Sequence, residues 1–389
     1  MTKKIRLTVV MTHPIQYYSP WFRFIASEVP ELDLTVLYVS EPSPRQQGVQ
    51  FGVDFVWDVP LRDGYDNDVL RPARIDDEFG SEHFWGIDAP KIGAAIEGTR
   101  PDAVVLSGWH SASLVRALFA CRRRGIPAIY RGDTNLGGRG RSLSWRLRTR
   151  FLLSRFDRYL SVGVRAREYL QHFGVADTLI HDSPHAVDNE FFAQRARPFR
   201  DPKARAEARA VLEIPEHTFV VLFVGKLEAK KRLEDLLRAL TEVGPPTILV
   251  AVGSGPLESS SRKLASDLRV DVRWCGFLNQ TELGRAHGSS DCLVLPSGWG
   301  ETWGLVVNEA MAAGLPCVVS DRVGCGPDLV IRGRTGEIFP YGDHQELAAA
   351  IERVRSDANR SPACQEHVRR FSFDAATQGL LTACRELVT

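Results

Sequence analysis

The chain has 389 residues, enough for two ordinary domains, and its 44% hydrophobic and 25% charged content is typical of a globular protein rather than a disordered one. The formal net charge of +1 argues against nucleic acid as a general partner, because duplex-binding proteins carry a clear basic excess. Seven cysteines, an odd number without a C-x-x-C pair, indicate buried free thiols and a cytoplasmic location.

The first apolar run, Ile5 to Met11, is too short for a signal peptide, and no later run reaches the length of a membrane span. It predicts the first buried strand of a parallel sheet. Ligands of such sheets bind outside the carboxyl ends of the strands, so His13, Gln16 and Tyr17 in the next loop are candidate ligand-facing residues. The alternative for His13 is a cap on the local backbone.

Two later strands of the first half also end in loops that carry polar and aromatic side chains. The runs 103–106 and 128–130 predict these strands, and residues 107–111 and 131–135 form the loops. The side chains placed there are Trp109, His110, Arg131 and Asp133. We expect them to converge at one edge of the sheet.

Residues 139–158 contain seven arginines and one aspartate among regularly spaced apolar residues. Such a basic amphipathic helix is suited to an anionic membrane surface and predicts peripheral membrane contact. The alternative is a half-buried helix with a solvated arginine face.

Residues 193–204 are rich in arginine and proline with few apolar residues and predict a linker. The first domain is therefore predicted over 1–192 and the second over 205–373.

In the second domain, the strand predicted at 219–224 is followed by Gly225, Lys226 and a cluster of cations ending at Arg232. A basic helix start is unfavourable for the helix dipole unless an anion neutralises it, so Lys226 and Lys231 are candidate anion ligands. The alternative is that both are ordinary surface lysines. Two more strands end in glycine turns, at 253–255 and at Gly276.

Residues 291–320 predict strand, loop, helix and strand, one βαβ unit. The loop brings its amides to the start of a helix beginning near Val306, where the dipole favours a phosphate. Glu301 in the loop and Glu309 in the helix could bind hydroxyl groups at two ends of an extended ligand. A nucleotide sugar is such a ligand.

The stretch Pro-Ser-x-x-x-Glu-x-x-Gly-Leu-x-x-x-Glu-Ala-Met-Ala-x-Gly-Leu-Pro, which contains Glu301 and Glu309, resembles the signature of the retaining family 4 glycosyltransferases of the GT-B fold, or glycosyl transferases group 1, of bacterial type. The resemblance covers most of the chain and is strongest over 219–340. It implies an α/β fold of two Rossmann-like domains with parallel sheets facing a central cleft. A C-terminal helix over 374–389 is expected to cross back to the N-terminal domain.

The resemblance also implies roles on the donor side. Glu301 is expected near the donor sugar and Glu309 on the ribose. Lys226 and Lys231, beside Gly225, are expected to grip the diphosphate, and Phe277 and Leu278 to lie at the base. The amides expected near the diphosphate are those of Thr302, Trp303, Gly304, Leu305 and Val306.

On the acceptor side, the loop with His13 resembles that of a bacterial subset of the family. Arg131 replaces a histidine that many members carry, so His110 or Asp133 is expected to supply the polar contact near the sugar. Asp66-Asn67-Asp68 matches the Asp-x-Asp of metal-dependent glycosyltransferases, but the surrounding segment predicts an irregular turn-rich loop. No metal and no cofactor are therefore expected.

The predicted function is retaining transfer of a sugar from a nucleoside-diphosphate sugar to a glycan, a glycolipid or a small-molecule acceptor. The resemblance implies a front-face reaction without a protein nucleophile. The alternatives are a GT-B sugar-nucleotide epimerase and an inactive nucleotide-sugar-binding module. The expected location is the cytoplasm, with contact at the inner face of its membrane as a further hypothesis.

Overall fold

The computed structural model describes residues 4–49, 51–72, 74–75, 83–138, 142–357 and 360–388. By its internal contacts the chain divides into two compact units. The first comprises residues up to Gln47, Pro60–His185 and the residues from Phe373 onward. The second comprises Gly48–Val59 and Ala186–Ser372.

The first unit contains a seven-stranded parallel sheet in the order β3-β2-β1-β6-β7-β8-β9 and a small antiparallel pair, β4 and β5. The strands are β1 (Ile5–Met11), β2 (Leu32–Tyr38), β3 (Asp66–Val69), β4 (Arg74–Ile75), β5 (Ile87–Asp88), β6 (Ala103–Leu106), β7 (Ala128–Gly132), β8 (Arg158–Ser161) and β9 (Ile180–Asp182). The central strands are continuous apolar runs because helices cover both faces of the sheet.

Helices α1 to α6 connect these strands. They are α1 (Tyr18–Glu28), α2 (Pro44–Gly48), α3 (Ile92–Gly98), α4 (Ala112–Arg124), α5 (Leu143–Leu153) and α6 (Val164–His172). Alternate residues of β6 enter different apolar clusters: Leu106 packs with residues of α4, and Val105 packs with residues of α1. The β6–α4 loop ends at Ser111, whose side chain caps α4 by accepting from the amide of Leu114.

The second unit contains a six-stranded parallel sheet in the order β12-β11-β10-β13-β14-β15. Its strands are β10 (Phe219–Val224), β11 (Thr247–Val252), β12 (Val272–Gly276), β13 (Cys292–Leu295), β14 (Cys317–Ser320) and β15 (Gly336–Phe339). Its helices are α7 (Asn189–Ala196), α8 (Pro202–Val211), α9 (Leu233–Leu240), α10 (Glu258–Leu268), α11 (Leu283–Ser289), α12 (Leu305–Ala312), α13 (Gly326–Leu329), α14 (His344–Arg355) and α15 (Ser361–Val368).

The last helix, α16 (Phe373–Val388), belongs to the first unit, although the preceding 187 residues, Ala186–Ser372, belong to the second. Its apolar face packs with residues of β1 and α1, and the indole of Trp21 donates a hydrogen bond to Thr377 Oγ1 at 2.9 Å.

Three predictions about the first unit were wrong. Residues 66–69 are not in an irregular loop but form edge strand β3, paired with β2, since an edge strand tolerates polar residues. The apolar run Tyr159 to Val162 predicts the last strand of this half, but a further strand, β9, pairs with β8. Arg131 lies inside β7 rather than in the loop after it.

Residues 193–204 are mostly helical and lie in the second unit, whose main segment begins at Ala186 rather than at residue 205. Asp188 caps α7, and Asp201 caps α8 by accepting from the amide of Ala204. Pro202 occupies the first position of α8, where its missing amide hydrogen costs no helical hydrogen bond. The stretch that predicts a linker is therefore the end of α7, a 3₁₀ turn at Arg197–Arg200 and the capped start of α8.

Two other predictions fall partly on residues outside the described ranges: the basic stretch 139–158 at residues 139–141, and the C-terminal helix predicted over 374–389 at residue 389. In the part of the chain that the structure describes, no helix combines the length and apolar character needed to cross a membrane.

Candidate functional site

In the second sheet, the chain changes direction between β10 and β13. From β10 it proceeds to β11 and β12 on one side, and from β13 to β14 and β15 on the other. At such a switch point the loops at the carboxyl ends of the two strands diverge and leave a crevice, which is where open α/β sheets bind ligands. The crevice here is bordered by residues 225–232 and 296–304.

Lys231 and Glu301 meet across this crevice. The Nζ atom of Lys231 contacts Oε2 of Glu301 in an ion pair whose two side chains are only 12% and 13% exposed. The amide of Gly298 also donates to the carbonyl of Lys230 at 2.9 Å. The structure therefore brings together the two segments that the sequence marks for the donor.

Helix α12 begins at Leu305, so the amides of Leu305 and Val306 lie in its first turn, where a helix has no carbonyl to offer them. Gly304 precedes the helix at φ 103°, a conformation that glycine adopts without strain. The indole of Trp303 is buried and donates to Asn308 Oδ1 at 2.9 Å. The helix start is thus held rigidly beside Glu301.

The loop before α12 is also fixed by its neighbour after β14. The amide of Gly324 donates to the carbonyl of Glu301, and the amide of Cys325 donates to that of Trp303. Thr302 lies half-buried between these two anchored carbonyls. Glu301 lies outside the helix, whereas Glu309 lies inside it and is 1% exposed.

Lys226 lies on the β10 side of the crevice. Burial lowers the pKa of its ammonium, Lys230 and Lys231 lower it further, and Glu228 and Glu301 oppose them. An anion placed here would therefore stabilise the charged form of Lys226.

The turns after β10, β11 and β12 lie side by side at the same edge. Gly225 donates its amide to the carbonyl of Val252, and Gly253 donates its amide to that of Gly276. A Cβ atom on Gly253 would lie 1.9 Å from the carbonyl oxygen of Gly225, so only glycine permits this approach. Phe277 and Leu278 follow directly and are half-buried.

The first sheet has its own switch point, between β1 and β6, and there the loops carry His13 and His110. Burial lowers the pKa of His13 to about 4, and the charge of His110 contributes to this shift. Burial also lowers the pKa of His110, whereas Asp133 raises it. Both imidazoles are therefore neutral at pH 7 and can each donate and accept a hydrogen bond.

Arg131 is 4% exposed, and its guanidinium donates to Tyr18 Oη at 2.9 Å and to the carbonyl of Ser183 at 3.2 Å. It also stacks over the ring of Trp21 at 4.6 Å. The described contacts of this side chain are structural, and Asp133, His13 and His110 are among the other polar groups of this edge.

The sequence did not mark His185, which is buried with its Nε2 3.9 Å from Asp133 Oδ2. It occupies the Asn place in Pro184-His185-Ala186-Val187-Asp188, a stretch that resembles the family's Pro-Asn-Gly-Val-Asp turn, and that substitution was the available signal. The other predicted residues of this edge are half-buried in the expected loops: Gln16, Tyr17 and Trp109.

Among the residues described by the structure, no group of three or more His, Cys, Asp or Glu side chains is arranged to hold a metal ion.

Comparison with known protein families finds a match to most of the second unit. A profile described as "Glycosyl transferases group 1" matches residues 204–371. The sulfoquinovosyl transferase SQD2 of Arabidopsis thaliana is 33% identical over 198 residues, which are 49% of this chain and 37% of that protein. A GDP-mannose-dependent phosphatidylinositol monomannoside mannosyltransferase of Mycolicibacterium smegmatis is 31% identical over 227 residues, 56% of this chain and 57% of that protein. The matches thus span about a third to somewhat more than half of these relatives.

Solved structures match along nearly the whole chain. A glycosyltransferase from Rickettsia africae has a TM-score of 0.74 at 13% identity and covers 99% of each chain. Anabaena HepE in complex with UDP and glucose has a TM-score of 0.71 at 16% identity, covering 98% of this chain and 100% of that one. These similarities confirm the predicted fold class: the protein has the GT-B fold. Residues 204–371, somewhat less than half of the chain, are similar to the glycosyl transferases group 1 family.

Proposed function

We propose that the protein is a retaining glycosyltransferase that takes its sugar from a nucleoside-diphosphate sugar. The observation that carries this proposal is the meeting of Lys231 and Glu301 at the switch point of the second sheet, directly before a helix start. A cation and free amides suit a diphosphate, and an adjacent carboxylate suits the hydroxyl groups of a sugar.

In this proposal, Lys226, Lys231 and the first amides of α12 stabilise the negative charge that develops on the departing diphosphate. Such fixed positive groups are worth most in a site that excludes water. They do the work that a divalent cation does elsewhere, so the reaction is proposed to need no metal. Retention is proposed to be front-face: the leaving phosphate oxygen takes the proton of the acceptor hydroxyl, and no protein nucleophile takes part.

Glu301 is proposed to orient the donor sugar, and Glu309 to bind the ribose. The neutral His110 and His13, with Asp133, are proposed to bind the acceptor at the edge of the first sheet. The names of the relatives support a nucleotide-sugar donor and a glycolipid acceptor: HepE was solved with UDP and glucose, and the mycobacterial relative acts on a phosphatidylinositol monomannoside.

A glycolipid acceptor also requires access to a membrane, and we propose that α5 provides it. Leu143, Leu147 and Phe151 recur every four residues along this helix and are 72%, 61% and 47% exposed. Exposed arginines of the same helix accompany this apolar stripe, at positions 146, 148 and 150. Apolar residues beside cations are suited to the interface of an anionic bilayer.

The experiment is a panel of nucleoside-diphosphate sugars incubated with the protein, with and without glycolipid or glycan acceptors, followed by product analysis by mass spectrometry. The proposal predicts a glycosylated acceptor that keeps the anomeric configuration of the donor. An epimerase would change the sugar without any acceptor. An inactive binding module would release no nucleoside diphosphate under any condition.

A further inference from the structure

Residues 48–59 form a segment that we call the strap; residue 50 lies outside the described ranges. The strap lies in the chain between β2 and β3, two strands of the first sheet, yet by its contacts it belongs to the second unit. It is therefore a piece of the N-terminal half built into the unit that carries Lys226 and Lys231.

Hydrogen bonds hold the strap at the carboxyl ends of β11 and β12. The hydroxyl of Ser254 donates to the carbonyl of Phe51. The side-chain amide of Asn279 donates to the carbonyl of Val56 at 2.8 Å, and the backbone amide of Thr281 donates to Asp58 Oδ2 at 3.1 Å. With these anchors at both ends, the strap is a fixed wall of the second unit.

The inner side of the strap is aromatic. Phe51 and Phe55 lie 5.2 Å and 4.3 Å from Phe277, between ring centroids, and Trp57 lies 6.2 Å away. These rings are half-buried, whereas Val53 and Val56 of the same segment are exposed. The strap thus turns its rings toward the strand ends.

Phe51 connects this aromatic wall to the cations. The Nζ atom of Lys226 lies 4.8 Å from the centroid of the Phe51 ring, a distance suited to a cation–π interaction. On the other side, the same ring meets Phe277 at an interplanar angle of 72°. Among the aromatic contacts described, Phe51 is the strap residue whose ring contacts both Lys226 and Phe277.

A nucleoside diphosphate held by Lys226 and Lys231 needs a place for its nucleoside. The turns at Gly225 and at 253–255 pack backbone to backbone at the same strand ends, and Ser254 of the second turn holds the carbonyl of Phe51. The aromatic rings of the strap, packed on Phe277, lie next to these turns. Every nucleobase has a flat π-face that stacks on aromatic side chains, so phenylalanine rings beside Lys226 suit the nucleoside of a ligand whose diphosphate lies on the cations.

We propose that Phe51 of the strap contacts the nucleoside of the donor and contributes to the affinity and the choice of the base. The proposal rests on the proposed function of this site. Phe55 is a positioning residue, because its ring packs on Phe277 and at 5.3 Å against the Phe51 ring, nearly perpendicular to it.

The test uses calorimetric titration of the full chain with UDP, GDP and ADP, and with inorganic pyrophosphate as a probe that lacks a nucleoside. Phe51→Ala is expected to weaken the tightest nucleoside diphosphate by about 5-fold to 100-fold, the range that base stacking contributes. Pyrophosphate binding is expected to change by less than about twofold, and the ratio of UDP to GDP affinity to shift. Phe51→Trp restores stacking, and Val53→Ala, an exposed residue of the same strap, should match the wild type.

An equal loss for pyrophosphate and nucleotide in Phe51→Ala would assign the ring to folding of the strap and overturn the proposal. Tighter nucleotide binding would show that the strap covers the site instead. If the wild type binds pyrophosphate but gains nothing from any nucleoside, the proposal for Phe51 fails while the diphosphate site stands. If the wild type binds neither, the proposed function fails as well.

Discussion

Lys231 and Glu301 are separated by 70 positions in the sequence and form an ion pair at the carboxyl edge of the second sheet. Each comes from a loop that follows one of two adjacent strands, β10 and β13, from which the chain departs in opposite directions. The pair couples the two loops and also sets up a competition. An arriving diphosphate would compete with Glu301 for the ammonium of Lys231. Without the diphosphate, that ammonium pairs with Glu301.

Because of this competition, Glu301→Gln should separate binding from transfer. Removing the negative charge relieves its repulsion of the diphosphate, so a nucleoside diphosphate should bind as tightly as in the wild type or more tightly. Sugar transfer should fall by about a hundredfold, since the carboxylate no longer orients the sugar. Calorimetry and product formation measure the two effects. A variant that loses nucleotide affinity and transfer in parallel would contradict this role.

Nucleotide affinity should depend on pH through Lys226. Its pKa is lowered by burial, so in the free protein the ammonium loses its proton at a pH below the ordinary range of lysine. Since the diphosphate needs the charged form, affinity should decrease as the pH rises through that lowered value. Lys226→Arg, which stays charged, should flatten the dependence. Lys263→Arg, on exposed α10, is the matched control and should keep the wild-type profile. If nucleotide affinity depends on pH in the same way in all three proteins, Lys226 does not bind the diphosphate.

Acid should destabilise the second unit through His287. This residue of α11 is 1% exposed beside the ring of Phe192, and burial lowers its pKa to about 4. Between the ordinary value of 6.5 and about 4, the unfolded chain binds a proton that the native state does not, so stability decreases as the pH falls. One such group changes the folding equilibrium constant by about tenfold for each pH unit in this window.

Urea unfolding at pH 7 and pH 5 measures this effect. His287→Leu should lose less stability between the two pH values than the wild type does, whatever its absolute stability. His344→Gln, an exposed histidine facing Glu242, serves as the control and should behave like the wild type. If His287→Leu shows the full acid sensitivity, the assignment to His287 is wrong.

Helix α5 should carry membrane binding. Leu147→Ser removes the central residue of the exposed apolar stripe and should weaken sedimentation with anionic phospholipid vesicles by several fold. Val211→Ser, an equally exposed apolar residue at the end of α8, should leave it unchanged. Salt should release the wild type, because the arginines act through screened charge. Binding that is insensitive to both Leu147→Ser and salt would place the contact elsewhere.

Three of the central strands could be predicted from the sequence to the residue. The predicted runs 5–11, 103–106 and 219–224 coincide with β1, β6 and β10. Each is an apolar stretch limited by turn residues and buried on both faces, so local pattern and tertiary environment agree. The order of the motifs also placed Lys231 and Glu301 on loops that follow two adjacent strands, β10 and β13.

Elements that depend on distant partners could not be predicted in this way. Strand β3 has the sequence Asp-Asn-Asp-Val, which favours a turn, and exists because β2 offers it an unpaired edge. The strap contains apolar residues without helical or strand periodicity, and its place is decided by Ser254 and Asn279, about 200 residues later. Likewise, the sequence around Arg131 does not indicate that its guanidinium donates hydrogen bonds to Tyr18 and to the carbonyl of Ser183.

The central claim is that the crevice between β10 and β13 binds a nucleoside diphosphate through Lys231. The most direct measurement is calorimetric titration of the wild type, Lys231→Ala and Lys230→Ala with the nucleoside diphosphate that binds tightest. Lys230 is the neighbouring lysine, and its ammonium pairs with Glu228 at 3.2 Å. We expect Lys231→Ala to lose about tenfold or more in affinity, because a hydrogen bond to a charged group is removed, while Lys230→Ala stays within about twofold of the wild type. Equal affinities for all three proteins would contradict the account.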